Sequence, residues 1–261
     1  MVPIVKINDS MFGLTKQYFR KGKNGFTSAT ITGERRVGKT MYALQTVYQI
    51  CRYEGLGKKE SWKIALDSII FTMKDLVNTL KSCTYENRRK FIIWDDAGVN
   101  ASGLLYRYNM DNAAVLKALM DTVGTRVRLL MLTTPAFKGL MSFLRDYSDI
   151  LINIEPYHMN FGYNGRLATI YSPYLAKNLV RHMAKAGRDE YNVKIRDDVY
   201  NKYVKIRDNF VNIITDELIN YGENGREVIR ENFGEDRALA RQTGLQPDMV
   251  RTDTESEFSS D

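Results

Sequence analysis

An α/β fold, with a mostly parallel sheet covered by helices on both faces, is what this sequence predicts, and three observations carry the prediction. Short apolar runs alternate with amphipathic stretches from residue 26 to residue 156. The pattern GERRVGKT, residues 33–40, stands between the first apolar run and the first amphipathic stretch. FIIWDDAG, residues 91–98, is continuously apolar and then delivers two aspartates, as a parallel strand buried on both sides would.

The elements follow in order. KINDSMFGLTKQYFRKGKNG, residues 6–25, mixes aromatics with Lys and Arg and stops at a Lys-Asn-Gly turn signal, so residues 1–24 are expected to form a basic N-terminal arm. FTSATIT, residues 26–32, is a β-rich run that ends at Gly33. KTMYALQTVYQICRYEG then places Met41, Leu44, Val47, Tyr48 and Cys51 on one helical face and stops at Gly55. Ser68 to Thr72 is a short strand, and the helix after it has Thr72 as N-cap and Asp75 in the capping-box position. RKFIIWDDAG supplies a third strand, Asp111 to Val123 a helix, and RLLMLTTP, residues 128–135, a fourth strand closed by Pro135. A helix around AFKGLMSFLRDY leads to a fifth strand, DILINIEP. This alternation argues for right-handed crossovers in one sheet.

Beyond residue 156 the texture changes. Asn164-Gly165 between β-rich flanks suggests a hairpin. From Pro173 the chain reads as helical: VKIRD occurs at residues 193–197 and 204–208, and an offset of 11 residues puts both copies on one helical face. The expected division is therefore a core over residues 25–172, a helical region over 173–251, and a disordered acidic tail over 252–261, which holds four acids and no base.

Composition excludes several classes. A hydrophobic fraction of 44% with 26% charged residues is that of a globular protein rather than a disordered one. No run of 18 apolar residues occurs and the N-terminus lacks a secretory layout, so a membrane span and export are not expected and a cytoplasmic location is, in the host cytoplasm if the protein is viral. Cys51 and Cys83 stand alone, too few for a zinc site, and His158 and His182 lack a nucleophile constellation. Residues 1–60 carry 11 Lys or Arg against 4 Asp or Glu, and this block accounts for the net charge of +7. Such a block suits a phosphate backbone, with a merely solvated face as the alternative.

Gly33 to Thr40 fits G-x-x-x-x-G-K-[ST], the loop of the P-loop NTPases, whose three-layer sandwich has a helix layer on each side of the sheet. Its glycines let backbone N–H groups converge on phosphate, so Gly33, Glu34, Arg35, Arg36, Val37, Gly38, Lys39, Thr40 and Met41 form the expected cradle, with the Arg35 and Arg36 side chains splayed outward. Lys39 would reach the β- and γ-phosphates of ATP, and the Thr40 hydroxyl would ligate Mg²⁺. At the end of the apolar run, Asp95 would hold the metal and Asp96 would polarise the attacking water. Thr133 or Thr134, at the tip of the fourth strand, would sense the γ-phosphate or that water. Arg126, Arg128 and Arg145 are candidates for the arginine that a neighbouring subunit lends to the transition state.

GERRVGKT, SIIFTMKDLVNTL, FIIWDDAG and LLMLTTP resemble, in order and spacing, the AAA+ ATPases, and within them the DnaA and helicase-loader branch as encoded by archaeal viruses and plasmids. The resemblance spans about residues 25–156 and implies a strand order of 5-1-4-3-2, ATP and Mg²⁺ as ligands, and a homo-oligomer. The sequence departs from it where Asp96 replaces the usual glutamate, in the absence of a GxR-type sensor, and in the apolar insertion NASGLLYRYNM, residues 100–110. Motors of the FtsK and HerA type share the same core motifs. DRALARQTGLQPDMVRTD places Ala240, Gly244 and Val250 at helix-turn-helix spacing, with Asp253 against that pattern and an ordinary helical hairpin as the alternative. The expected function is ATP hydrolysis driving work on DNA in replication initiation or helicase loading of a mobile element, with replication or packaging proteins as further partners. The alternatives are a DNA translocase or packaging motor, and an assembly scaffold with little turnover.

Overall fold

Ile31, Ile93, Met131 and Ile152 expose no surface, because each sits in a parallel strand with side chains packed above and below. The computed structural model describes residues 11–97, 110–175, 181–213 and 215, and the chain divides into two units, residues 1–204 and 205–261. In the first unit the sequence of elements is α1 (Gly13–Arg20), β1 (Thr27–Thr32), α2 (Lys39–Tyr53), α3 (Lys58–Asp67), β2 (Ile69–Ile70), α4 (Met73–Lys81), β3 (Arg89–Trp94), α5 (Met110–Thr122), β4 (Val127–Thr134), α6 (Ser142–Asp146), β5 (Ile150–Pro156), β6 (Gly165–Leu175) and β7 (Arg181–Asn192). Residues 197–204 are helical, and in the second unit residues 205–213 are helical.

The seven strands form one sheet in the order β2-β3-β4-β1-β5-β6-β7. Its first five are parallel and reproduce the expected order, while β6 and β7 continue it antiparallel. Side chains alternate between two layers. Ile92, Trp94, Leu130 and Leu132 pack with Leu76 of α4, Leu116 of α5 and Leu144 of α6. Phe91 faces the other way and meets the Tyr18 ring of α1 at 5.6 Å between centroids. The capping box forms as expected, Asp75 N–H donating to Thr72 Oγ1 at 3.0 Å and Thr72 N–H to Asp75 Oδ2 at 3.2 Å. Thr72 goes to this cap and Ser68 to the end of α3, and β2 is only two residues long.

Four expectations are corrected. Residues 13–20 are a packed helix rather than an arm: Leu14, Thr15 and Tyr18 are buried, and only its end, Arg20 to Lys23, is exposed. The region after Pro173 is not helical at first, since β6 runs through it to Leu175 and β7 follows, with Pro173 paired to Met183. The first VKIRD copy is non-helical over residues 193–196, so the two copies share no helical face. The hairpin joins β5 to β6 through residues 157–164, and Gly165 begins β6 rather than centring the turn. Helix α3 lies in a stretch the sequence left unassigned. The helix-turn-helix candidate, the acidic tail and the insertion over residues 100–109 lie outside the described residues.

The antiparallel strands are tied to α1 and α2 by one half-buried carboxylate. Asp189 of β7 accepts the Tyr42 hydroxyl at 2.6 Å and the Gly13 N–H at 3.0 and 2.9 Å, and burial pushes its carboxyl above the usual range. The rings of Phe12 and Tyr42 stack beside it at 4.9 Å. Asp189→Ala leaves two donors without an acceptor and is expected to cost about 2–4 kcal/mol in urea unfolding. In a cycle with Tyr42→Phe the two losses should fall short of additive; full additivity would show that the two groups do not act together. The Cys51 thiol, buried in α2, is pushed up to about 12, chiefly by desolvation. Its alkylation at about pH 8 should therefore track global unfolding, and rapid labelling of the folded protein would contradict this burial.

Candidate nucleotide site

Where β1 ends, the chain must turn sharply to start α2, and the turn is made by residues 33–38. Gly33 and Gly38 have φ of 142° and 107°, and Arg36 adopts φ 62° between them. A Cβ on Gly33 would lie 2.4 Å from the Ile154 carbonyl oxygen, and one on Gly38 would lie 2.5 Å from Val193 Cγ1. Glycine is thus demanded twice, by conformation and by space. Glu34, Arg35 and Arg36 are exposed, which agrees with side chains that splay outward, while Val37 and Met41 are buried.

Lys39 is 7% exposed, and its ammonium donates to the carbonyls of Gly33 at 3.0 Å and Glu34 at 2.8 Å. A cation is thereby held inside the loop's own turn. The helix beginning at Lys39 points its first-turn N–H groups, which have no intrahelical partner, toward the same place. Loop, cation and helix N-terminus are the parts from which an anion site is built.

Thr40 carries the site to the neighbouring strands. Its hydroxyl donates to Asp95 Oδ1 at 2.7 Å, and the Thr133 hydroxyl donates to the same oxygen at 2.6 Å. Asp95 is 1% exposed, and its second oxygen accepts the Tyr203 hydroxyl at 3.0 Å. Sheet order explains the meeting: β4 lies between β1 and β3, so Thr133 at its tip reaches Asp95, just past the end of β3. The Asp96 N–H donates to Thr133 Oγ1 at 2.9 Å, and Asp96 takes φ 49°, a conformation that aspartate tolerates better than most residues. The structure thus brings Gly33, Lys39, Thr40, Asp95, Asp96 and Thr133 to one edge of the sheet.

The remaining candidates have partners of their own. The Thr133 hydroxyl bridges the two aspartates, donating to Asp95 and accepting from the Asp96 N–H, and the Thr134 hydroxyl bonds to Ala136 within its own turn. The arginines lie toward the opposite edge, where the parallel strands begin. Arg126 donates to the carbonyls of Cys83 and, at 3.3 Å, Leu80. Arg128 sits 4.4 Å above the Tyr18 ring and donates to the Gly22 carbonyl. Arg145, half-buried in α6, is two residues before Tyr147, whose carbonyl accepts the Ser28 hydroxyl at the start of β1. Tyr203 had no signal in the sequence, because nothing local distinguishes it from other aromatics of a helical stretch.

The strand order, with the glycine loop between the central strand and α2, gives the fold of a P-loop NTPase. The chain matches no family model. It is 28% identical, over 227 residues, to an uncharacterized protein, B-251, of Sulfolobus spindle-shape virus 1, a similarity covering 82% of this chain and 86% of that one. Among solved structures it is similar to the flagellar accessory protein FlaH of Methanocaldococcus jannaschii, at 15% identity and a TM-score of 0.39 over 70% of this chain and 100% of the other. It is also similar to the genome packaging NTPase B204 of Sulfolobus turreted icosahedral virus 2 in complex with ATP-gammaS, at 11% identity and a TM-score of 0.35 over 62% and 97%.

Thr133→Val keeps the shape of the side chain but removes the hydroxyl shared by Asp95 and Asp96. A loss of about 1–3 kcal/mol in stability is expected from the groups left unpaired, with Thr133→Ser restoring most of it. Equal stability of the valine and wild-type proteins in urea titration would rule out the bridge.

Proposed function

We propose that the protein binds ATP with Mg²⁺, hydrolyses the γ-phosphate, and uses the cycle to work on DNA of a mobile element. The observation that carries this reading is the joining of Lys39, Thr40 and the Asp95–Asp96 pair at one sheet edge. Lys39 would exchange its two loop carbonyls for phosphate oxygens. Thr40 and Asp95 offer the hard oxygen donors that suit Mg²⁺, and no group of three or more His, Cys, Asp or Glu able to hold a metal occurs among the described residues. That fits an ion completed by substrate phosphates rather than one caged by protein. The ion would neutralise charge developing on the transferred phosphoryl group. Asp96, adjacent to Asp95 and with its backbone at φ 49°, would orient the attacking water.

Support for DNA as the partner comes from charge. Arg20, Lys21 and Lys23 are exposed where the parallel strands begin. On that side β6 and β7 overhang β5, pairing out to Leu175 and Arg181 while β5 reaches only Tyr171. Residues 172–175 and 181–188 of this ribbon hold three Lys or Arg and no acid, and a two-stranded ribbon is a shape the DNA major groove admits. The second reading is a DNA translocase or packaging motor, for which the same basic surface would also serve.

ATPase assays with and without single- and double-stranded DNA test the proposal. Lys39→Ala should weaken ATP binding by about 100-fold or more. Asp96→Asn should bind ATP normally, since asparagine also accepts this backbone conformation, and lose about 10²–10³ in turnover. ATP binding without any turnover would leave the scaffold reading standing, and no DNA binding at about 0.1 M salt would remove the nucleic-acid part.

A further inference from the structure

Two hydrogen bonds reach the phosphate loop from outside the pattern of glycines, lysine and threonine. The Arg166 Nε–H of β6 donates to the Val37 carbonyl at 2.7 Å. The Tyr191 hydroxyl of β7 donates to the Gly38 carbonyl at 3.0 Å. Both come from the antiparallel strands, and both land on the two residues before Lys39.

Their consequence follows from peptide geometry. The described chain has no cis peptide, so within each planar unit the carbonyl of one residue and the N–H of the next point in opposite directions. Holding the Val37 carbonyl toward β6 turns the Gly38 N–H away from the hairpin. Holding the Gly38 carbonyl toward Tyr191, where it also accepts the Tyr42 N–H at 3.0 Å, does the same for the Lys39 N–H. These amides belong to the cradle that a phosphate would occupy. A glycine-containing loop can rotate such planes at little cost, so something must fix them if the amides are to be preorganised.

The donors are themselves fixed. The Arg166 guanidinium also donates from Nη1 to the carbonyls of Tyr163 at 2.8 Å and Gly165 at 2.7 Å, so its fork is braced by its own turn. Tyr191 is 2% exposed, and its ring packs edge-on against Tyr42 at 5.3 Å and Phe12 at 5.9 Å. Burial raises the Tyr191 phenol above its ordinary value, which keeps the hydroxyl a donor throughout the working pH range. Val193 closes against Gly38 with no space for a side chain there.

We propose that Arg166 and Tyr191 are positioning residues of the nucleotide site: hairpin β6–β7 clamps the Val37–Gly38 and Gly38–Lys39 peptide planes so that their amides face a bound polyphosphate. This rests on the nucleotide-binding reading above and adds the element that sets the loop's affinity. The β-phosphate is common to ADP and ATP, so the clamp acts on both alike.

The test is titration of the full chain with fluorescent ADP and ATP in the presence of Mg²⁺, alongside thermal unfolding without nucleotide. Tyr191→Phe, which removes one oxygen and keeps the ring, should weaken both nucleotides about fivefold to tenfold. Arg166→Met should weaken them at least as much, and Arg166→Lys should recover part of the loss. KM for ATP should rise more than kcat falls, as for an interaction present in both ground and transition states. Affinities within twofold of wild type for both Tyr191→Phe and Arg166→Met would overturn the clamp, whatever happens to the unfolding temperature. If Arg166→Met does not fold, Tyr191→Phe decides alone. Failure of the unmutated protein to bind either nucleotide would overturn the clamp together with the reading it rests on.

Discussion

A carboxylate buried at 1% exposure, with three hydroxyls donating to it, is the constraint on which the site and much of the fold depend. Taking an isolated carboxylate out of water costs several kcal/mol or more, so Asp95 is tolerable only where donors arrive from fixed positions. Those donors sit on α2, on the tip of β4 and on the helix at residues 197–204. Each must be delivered by its own element, and only a sheet with β4 between β1 and β3 brings the first two to the same oxygen. Topology and chemistry are therefore one requirement here.

Asp189 makes an instructive contrast. It also gathers donors from distant segments, but they are a backbone N–H of α1 and a phenol of α2, with the Lys16 charge drawing its carboxyl down against burial. Burial raises it, and its neighbours are aromatic rings. Such a group can pin elements together but has nothing to exchange for a metal or a phosphate. Asp95 has its hydroxyls beside a lysine and a helix N-terminus, where an incoming phosphate and its ion would have somewhere to go.

Much of this was legible in the sequence, for physical reasons that also say where legibility stopped. Strands β3 and β4 announce themselves because strands buried on both faces are largely apolar, and the glycine loop does so because its φ values admit few other residues. The capping box at Thr72 is a local interaction, so local reading finds it. Strand β7, RHMAKAGRDEYN, contains Ala, Lys, Met and Arg, which favour helices, and it is a strand because β6 pairs with it along its length. Helix α1 hides among basic residues, since only the fold reveals that Leu14 and Tyr18 have a sheet to pack against. Arg166 and Tyr191 act across 129 and 153 positions of sequence, and nothing short of the folded chain brings them to the loop.

The two borders of the sheet differ from its interior in a way that bears on how copies of this chain meet. One border is β2, whose two residues leave almost no row of free backbone groups. The other is β7, where His182, Lys185 and Arg188 are exposed. Short strands and charged strands both resist the addition of a further strand, because a second copy would find either too few hydrogen bonds or like charges facing each other. Extending the described sheet by a further strand is thus disfavoured at both borders. Helices, loops and the ends of strands are left as the surfaces better suited to contact with another molecule.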